Sequence, residues 1–183
     1  MHSMDNYYVS KLIALMAEAE ISAIANPLIN ITIQGRHDTY PKRRGMTRVP
    51  ELRNAGLTVA FGHDCVMDPW YSMGSGDMLE VASMGLHVAQ MTSRDDIRAC
   101  FNAVTTEPAK IMGIEGYGIE VGNNADFVVL QARDTIEAIR IRANRLFVIR
   151  RGKIIAETPM AQTRLHLNDR PDHVREHEYA PTL

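Results

Sequence analysis

Two short apolar runs, "ISAIANPLIN" at residues 21–30 and "LTVAFG" at residues 57–62, each follow a stretch of helical character. Residues 5–20 place Tyr8, Leu12, Leu15, Met16 and Ala19 on one helical face, with Asp5 as the N-cap. "TRVPELRNAG" predicts a second, shorter helix in which Thr47 is the cap, Pro50 sits in the first turn and Gly56 is the stop. The apolar runs suit strands buried on both faces, the first ending at Pro27. Helix, buried strand, loop, helix, buried strand is the alternation of a parallel sheet, because parallel neighbours need a long crossover between them. The fold class read from this order is α/β.

The remainder of the chain fills in around that order. Residues 34–46, "QGRHDTYPKRRGM", lack any period and read as a long loop. Residues 75–91 and 93–104 read as helices starting near Asp77 and Ser93, and "TTEPAKIMGI" as a third with Pro108 in its first turn. Near residue 114 the texture changes to closely spaced Gly and Asn around short apolar segments. "RLFVIRRGKIIAET" is two strands about an Arg-Arg-Gly turn, so this region predicts a small antiparallel β module. The boundaries expected are 1–113, 114–170 and, for a polar arm or tail, 171–183.

In parallel α/β folds ligands collect where strands end at their C-terminal side. That is where "FGHDCVMDPWY", residues 61–71, lies. His63 and Asp64 alone could be a packed imidazole and a turn cap. Asp68, Pro69 and Trp70 add an ordered turn carrying the single tryptophan of the sequence, the kind of rigid aromatic a small planar ligand needs.

Other candidates weigh less. "YPKRRG" could meet phosphate or nucleic acid, but no aromatic interleaving continues beyond it, and it reads as a solvated loop. His173 and His177 have metal-compatible spacing in a polar tail with no core segment before them. Cys100, Met78, Met84 and Met91 fall at core positions.

The totals exclude several classes. With 183 residues, 45% of them hydrophobic, and a net charge of −2, the chain is sized for one domain or one plus a small module. The near-neutral balance gives no drive towards nucleic acid. No apolar stretch reaches the length of a membrane span, and the first residues lack the order of a signal peptide. Two cysteines, Cys65 and Cys100, form no disulfide framework and point to a reducing, cytoplasmic setting.

Taken together, "ANPLIN…QGRHDTYPKRRGMTRV", the "FGHD" strand end with its "DPWY" turn, and "YGIEVGNNADFVVL…RRGKIIA" resemble the bacterial cytosine deaminases of the amidohydrolase superfamily. The resemblance implies the C-terminal part of a (β/α)8 barrel followed by a small antiparallel β-sandwich portion. It implies a divalent metal, Fe2+ or Zn2+, held only in the complete protein, because the family's His-x-His pair, its further metal-binding histidine and its catalytic Glu match nothing in this sequence. By the same resemblance, Asp64 is a metal ligand and the proton-shuttling catalytic carboxylate. Trp70 is a residue of the substrate pocket. Cys65 stands where the family usually has an aspartate facing the pyrimidine. The implied function is hydrolysis of cytosine or a close analogue, 5-methylcytosine among them, to the uracil or thymine and ammonia. The alternatives are another amidohydrolase acting on a cyclic amide or nucleobase such as isocytosine or isoguanine, or a catalytically inactive fragment. The implied partner is a small-molecule nucleobase, with no nucleic acid and no membrane, and the full-length form is expected to be a homo-oligomer.

Overall fold

The computed structural model describes residues 1–43 and 45–169. Helix α1, Asn6–Glu18, starts where expected: Asp5 accepts from the N–H groups of Tyr7 and Tyr8 at 2.9 and 3.2 Å. Its buried face is not the expected one. Val9 and Ile13 are buried, whereas Tyr8 and Leu15 are exposed. The helix is apolar on two sides, so spacing alone offers two stripes, and packing takes the one containing Val9 and Ile13.

Strand β1 is Ala23–Ala25 and strand β2 is Val59–Phe61; they pair in parallel with Ala23 opposite Val59 and Ala25 opposite Phe61. The first run is therefore a strand only at its start. Pro27 does not close it but opens helix α2, Pro27–Ile33, in the first-turn position where a missing N–H costs nothing. Nor is β1 buried on both faces: Ile24 is exposed, while β2 is buried throughout. Helix α3, Val49–Asn54, starts after Arg48, without the side-chain cap expected from Thr47.

Helices α4 (Met78–Ala89), α5 (Arg94–Asn102) and α6 (Thr106–Ile111) follow, the first two capped by Asp77 and Ser93 as the sequence indicates. Cys100 is fully buried and Met91 nearly so, and Met78 and Met84 pack against the same core. That core runs from Val9 through Leu52, Phe61 and Val81 to Ile139.

Strand β3 (Phe127–Leu130), helix α7 (Thr135–Ile141), and strands β4 (Arg145–Arg150) and β5 (Lys153–Glu157) complete the described chain. The strands form one antiparallel sheet in the order β3-β4-β5. Arg151 and Gly152 both take positive φ, 47° and 73°, which is the tight turn that matches the twist of a hairpin. Of the predicted module, residues 114–126 supply turns rather than a strand. Helix α7 was not foreseen. No helix among the described residues is long and apolar enough to cross a membrane. The chain is thus a mixed α/β fold, with β1 and β2 ending side by side.

Candidate active site

The parallel ladder carries the backbone directly into the site. Gly62 N–H donates to Ala25 O at 2.9 Å, extending the β1–β2 pairing by one residue. The chain then turns sharply: Asp64 has φ 67°, a left-handed conformation that aspartate tolerates better than most residues. Its carboxylate is exposed and accepts a 3.0 Å hydrogen bond from Asn26 Nδ2, at the matching end of β1.

His63, next to Asp64, is buried. Its Nδ1 lies 2.8 Å from Cys65 O, and since a carbonyl only accepts, the ring hydrogen sits on Nδ1. Among the described residues its Nε2 is buried without a partner. Gly74 folds back over this ring, and a Cβ there would come within 2.5 Å of His63 Cε1.

Cys65 is half-buried between two carboxylates. Its thiol is pushed up to about 11, first by its hydrogen bond to Asp68, then by burial and by the negative charges of Asp68 and Asp64. It is therefore a neutral thiol near pH 7, and its Sγ lies 3.7 Å from Asp64 Oδ1.

Asp68 organises the loop that follows. Its Oδ1 accepts from the N–H groups of both Trp70 and Tyr71 at 2.9 Å, and Met67 N–H donates to Met73 O at 2.8 Å. Bonding from Tyr71 N–H above all, with the Cys65 thiol and Trp70 N–H adding to it, holds the Asp68 carboxyl below its ordinary value. The turn presents Trp70 with 73% of its surface exposed.

The structure thus brings Asp64, Cys65 and the Trp70 loop to one strand end, and adds Asn26, which sequence reasoning missed. The signal available was the Asn-Pro pair, a cap-like residue before a helix-opening proline, but not what its side chain would reach. The basic loop lies elsewhere. Lys42 donates to Arg36 O at 2.9 Å, Arg43 pairs with Asp38, and both help line a cavity of about 490 Å3 with His2 and Arg48. His173 and His177 lie outside the described residues.

The sequence matches the Amidohydrolase family over residues 2–158. The chain belongs to that family. In structure this amidohydrolase chain is similar to 5-methylcytosine deaminase from Klebsiella pneumoniae liganded with 5-fluorocytosine, with 40% identity and a TM-score of 0.87 over 90% of this chain and 40% of the other. In sequence it is 35% identical to pterin deaminase from Rhizobium rhizogenes over 82% of this chain and 35% of that protein. It is also 36% identical to N-isopropylammelide isopropyl amidohydrolase from Pseudomonas sp. strain ADP over 60% of this chain and 27% of that protein. The amidohydrolase chain therefore spans well under half the length of these relatives.

Proposed function

We propose that the full-length protein carrying this chain hydrolytically deaminates cytosine or a 5-substituted cytosine such as 5-methylcytosine, releasing ammonia and uracil or thymine. The observation that carries this reading is the Asp64 carboxylate at the open end of β2, beside Cys65 and the Trp70 loop, in a chain 40% identical to a 5-methylcytosine deaminase. In the balanced reaction a C–O bond forms and the exocyclic C–N bond breaks at the same ring carbon. Asp64 accepts the proton that water gives up and returns it to the departing nitrogen. Trp70 supplies a flat apolar wall for the base, and the Cys65 thiol a small neutral surface near ring position 5.

Amidohydrolases generally work with a divalent metal, whose chemistry is to make bound water acidic near neutral pH. Among the described residues no three His, Cys, Asp or Glu side chains gather as metal ligands. Asp64 fits one ligand position: it is exposed, and among the described residues its Oδ1 accepts a hydrogen bond only from the Cys65 thiol, at 3.7 Å. The other donors, for iron or zinc alike, would come from outside the described residues. We therefore expect residues 1–183 alone to be inert.

The same reading makes residues 1–113 the end of a (β/α)8 barrel and 114–170 a sandwich portion; the arm expected at 171–183 lies outside the described residues. It also makes the full-length protein a cytoplasmic homo-oligomer acting on a free nucleobase, without nucleic-acid or membrane partners. The similarity to pterin deaminase supports a second reading, another amino-substituted heterocycle. The deciding experiment measures ammonia release by the full-length protein from cytosine, 5-methylcytosine, isocytosine and pterin, with residues 1–183 in parallel. The highest kcat/KM on a cytosine supports the first reading, and the highest on pterin or isocytosine replaces it. Turnover by residues 1–183 alone would overturn the expectation that the chain needs outside ligands.

A further inference from the structure

The structure assigns to Asn26 a positioning role: its side-chain amide holds the Asp64 carboxylate in the orientation the hydrolytic site uses. This rests on the reading of Asp64 given above.

Three observations converge on it. Asn26 is the N-cap residue of α2, where an asparagine side chain ordinarily accepts from the first-turn N–H groups; here it makes no capping bond. Instead Nδ2 crosses to Asp64 Oδ2 at 3.0 Å, 38 residues away in sequence. A carboxylate only accepts, so the amide must present its NH2 group to Asp64. The space for that amide is kept open by the residue opposite. A Cβ at Gly62 would collide with Asn26 Oδ1, although Gly62 lies outside the positive-φ region and its backbone conformation does not itself require glycine. The third observation is the ladder. Ala25 opposite Phe61, extended by Gly62 N–H to Ala25 O at 2.9 Å, fixes the two strand ends at one level.

With Oδ2 committed to Asn26, Oδ1 is the oxygen left for water or metal, its one hydrogen-bond partner among the described residues being a thiol at 3.7 Å. One carboxylate with two differently engaged oxygens points a defined lone pair at the reaction. Without the amide, the exposed Asp64 side chain on its left-handed turn would gain access to its other staggered rotamers.

The test uses the metal-loaded full-length protein with cytosine as probe and compares Asn26→Leu, Asn26→Ala and Asn26→Ser. Leu is nearly isosteric with Asn but cannot donate, Ala removes both shape and donor, and Ser keeps a shorter donor. Positioning predicts that Leu and Ala both lose at least about tenfold in kcat, with KM within about threefold, and that Ser lies between them and wild type. It also predicts that Leu and Ala retain less metal after dialysis against a weak chelator. Because the side chain caps nothing, the Tm of the Ala variant should stay close to wild type. A packing role would instead leave Leu near wild type and put the loss in Ala. That pattern, or kcat and metal retention within about twofold of wild type in both, overturns the inference. Asp64→Asn is run alongside. If it keeps full turnover, the reading of Asp64 fails and Asn26 falls with it; if it is inactive while the Asn26 variants are normal, only Asn26 is removed.

Discussion

Arg145 on β4 forks onto the carboxylate of Asp77, 68 residues earlier, with Nη1 on Oδ2 at 2.8 Å and Nη2 on Oδ1. The same carboxylate caps α4 by accepting from Leu79 N–H at 2.8 Å. One side chain thus serves both the start of a helix and the attachment of the antiparallel sheet.

Asp77→Ala should therefore cost more than either bond alone, about 2–3 kcal/mol, against about 1 kcal/mol for Arg145→Ala, which leaves the cap in place. Burial pushes the Asp77 carboxyl up, but Arg145 and the helix N–H groups outweigh it, and the net value lies below the ordinary one. A depressed carboxyl contributes stability that is fully present above the unfolded value near 4 and is lost as pH falls through the folded value. Urea unfolding of wild type and Asp77→Asn from about pH 6 down to about pH 2 checks this. The difference between them should shrink only at the acid end.

Gly85→Ala reverses the usual helix rule. Exchanging Gly for Ala inside a helix normally stabilises by up to about 1 kcal/mol. At this position in α4 a Cβ would come within 2.5 Å of Phe61 Cε2 and 2.9 Å of its Cδ2 and Cζ. A net loss of about 1–3 kcal/mol is expected, with the denaturation midpoint recovering in the double variant with Phe61→Leu.

Asp64→Asn in the full-length protein keeps the shape of the side chain and removes its capacity to take a proton. Its kcat should fall by about 10²–10⁴. Steady-state ammonia release checks this, and a variant retaining about a tenth or more of wild-type kcat would take Asp64 out of the role.

Cys65→Asp tests selectivity. A neutral thiol replaced by a hydrated carboxylate makes the wall near ring position 5 charged and less able to receive a methyl group. The kcat/KM ratio of 5-methylcytosine to cytosine should fall by at least about fourfold, the worth of one buried methyl. An unchanged ratio would show that Cys65 does not set this preference.

Sequence made the capped helices legible because their caps are local: Asp5, Asp77 and Ser93 each bond within their own first turn. Helix α7 carried a comparable signal that went unread. Asp134 accepts from Glu137 N–H at 2.8 Å, and Glu137 reaches back to Arg133 N–H at 2.9 Å. The α2 error has a different origin. Pro27 reads as the end of the first apolar run, but proline is equally suited to the first turn of a helix, and burial of Leu28 and Ile29 behind it selects the helix. Asp64, Cys65 and Trp70 can be placed together from sequence because they are contiguous with a strand end. The Asn26–Asp64 bond cannot be, because nothing local records which strand ends will lie side by side.

Among the described residues no hydrogen bond joins the long loop between α2 and α3 to Asn26 or Asp64, whose strand ends are aligned by the β1–β2 ladder. Within the loop Gly45 lies against Asn30 and Met46 is buried in the core, so change is cheapest in the mostly exposed stretch 36–43, where doubling a flexible connection costs only about 0.6 kcal/mol in closure entropy. Lineages descending from this scaffold could lengthen, recharge or trim the loop while inheriting the Asn26–Asp64 pair intact, so new surroundings for the same carboxylate are open to selection at small energetic cost.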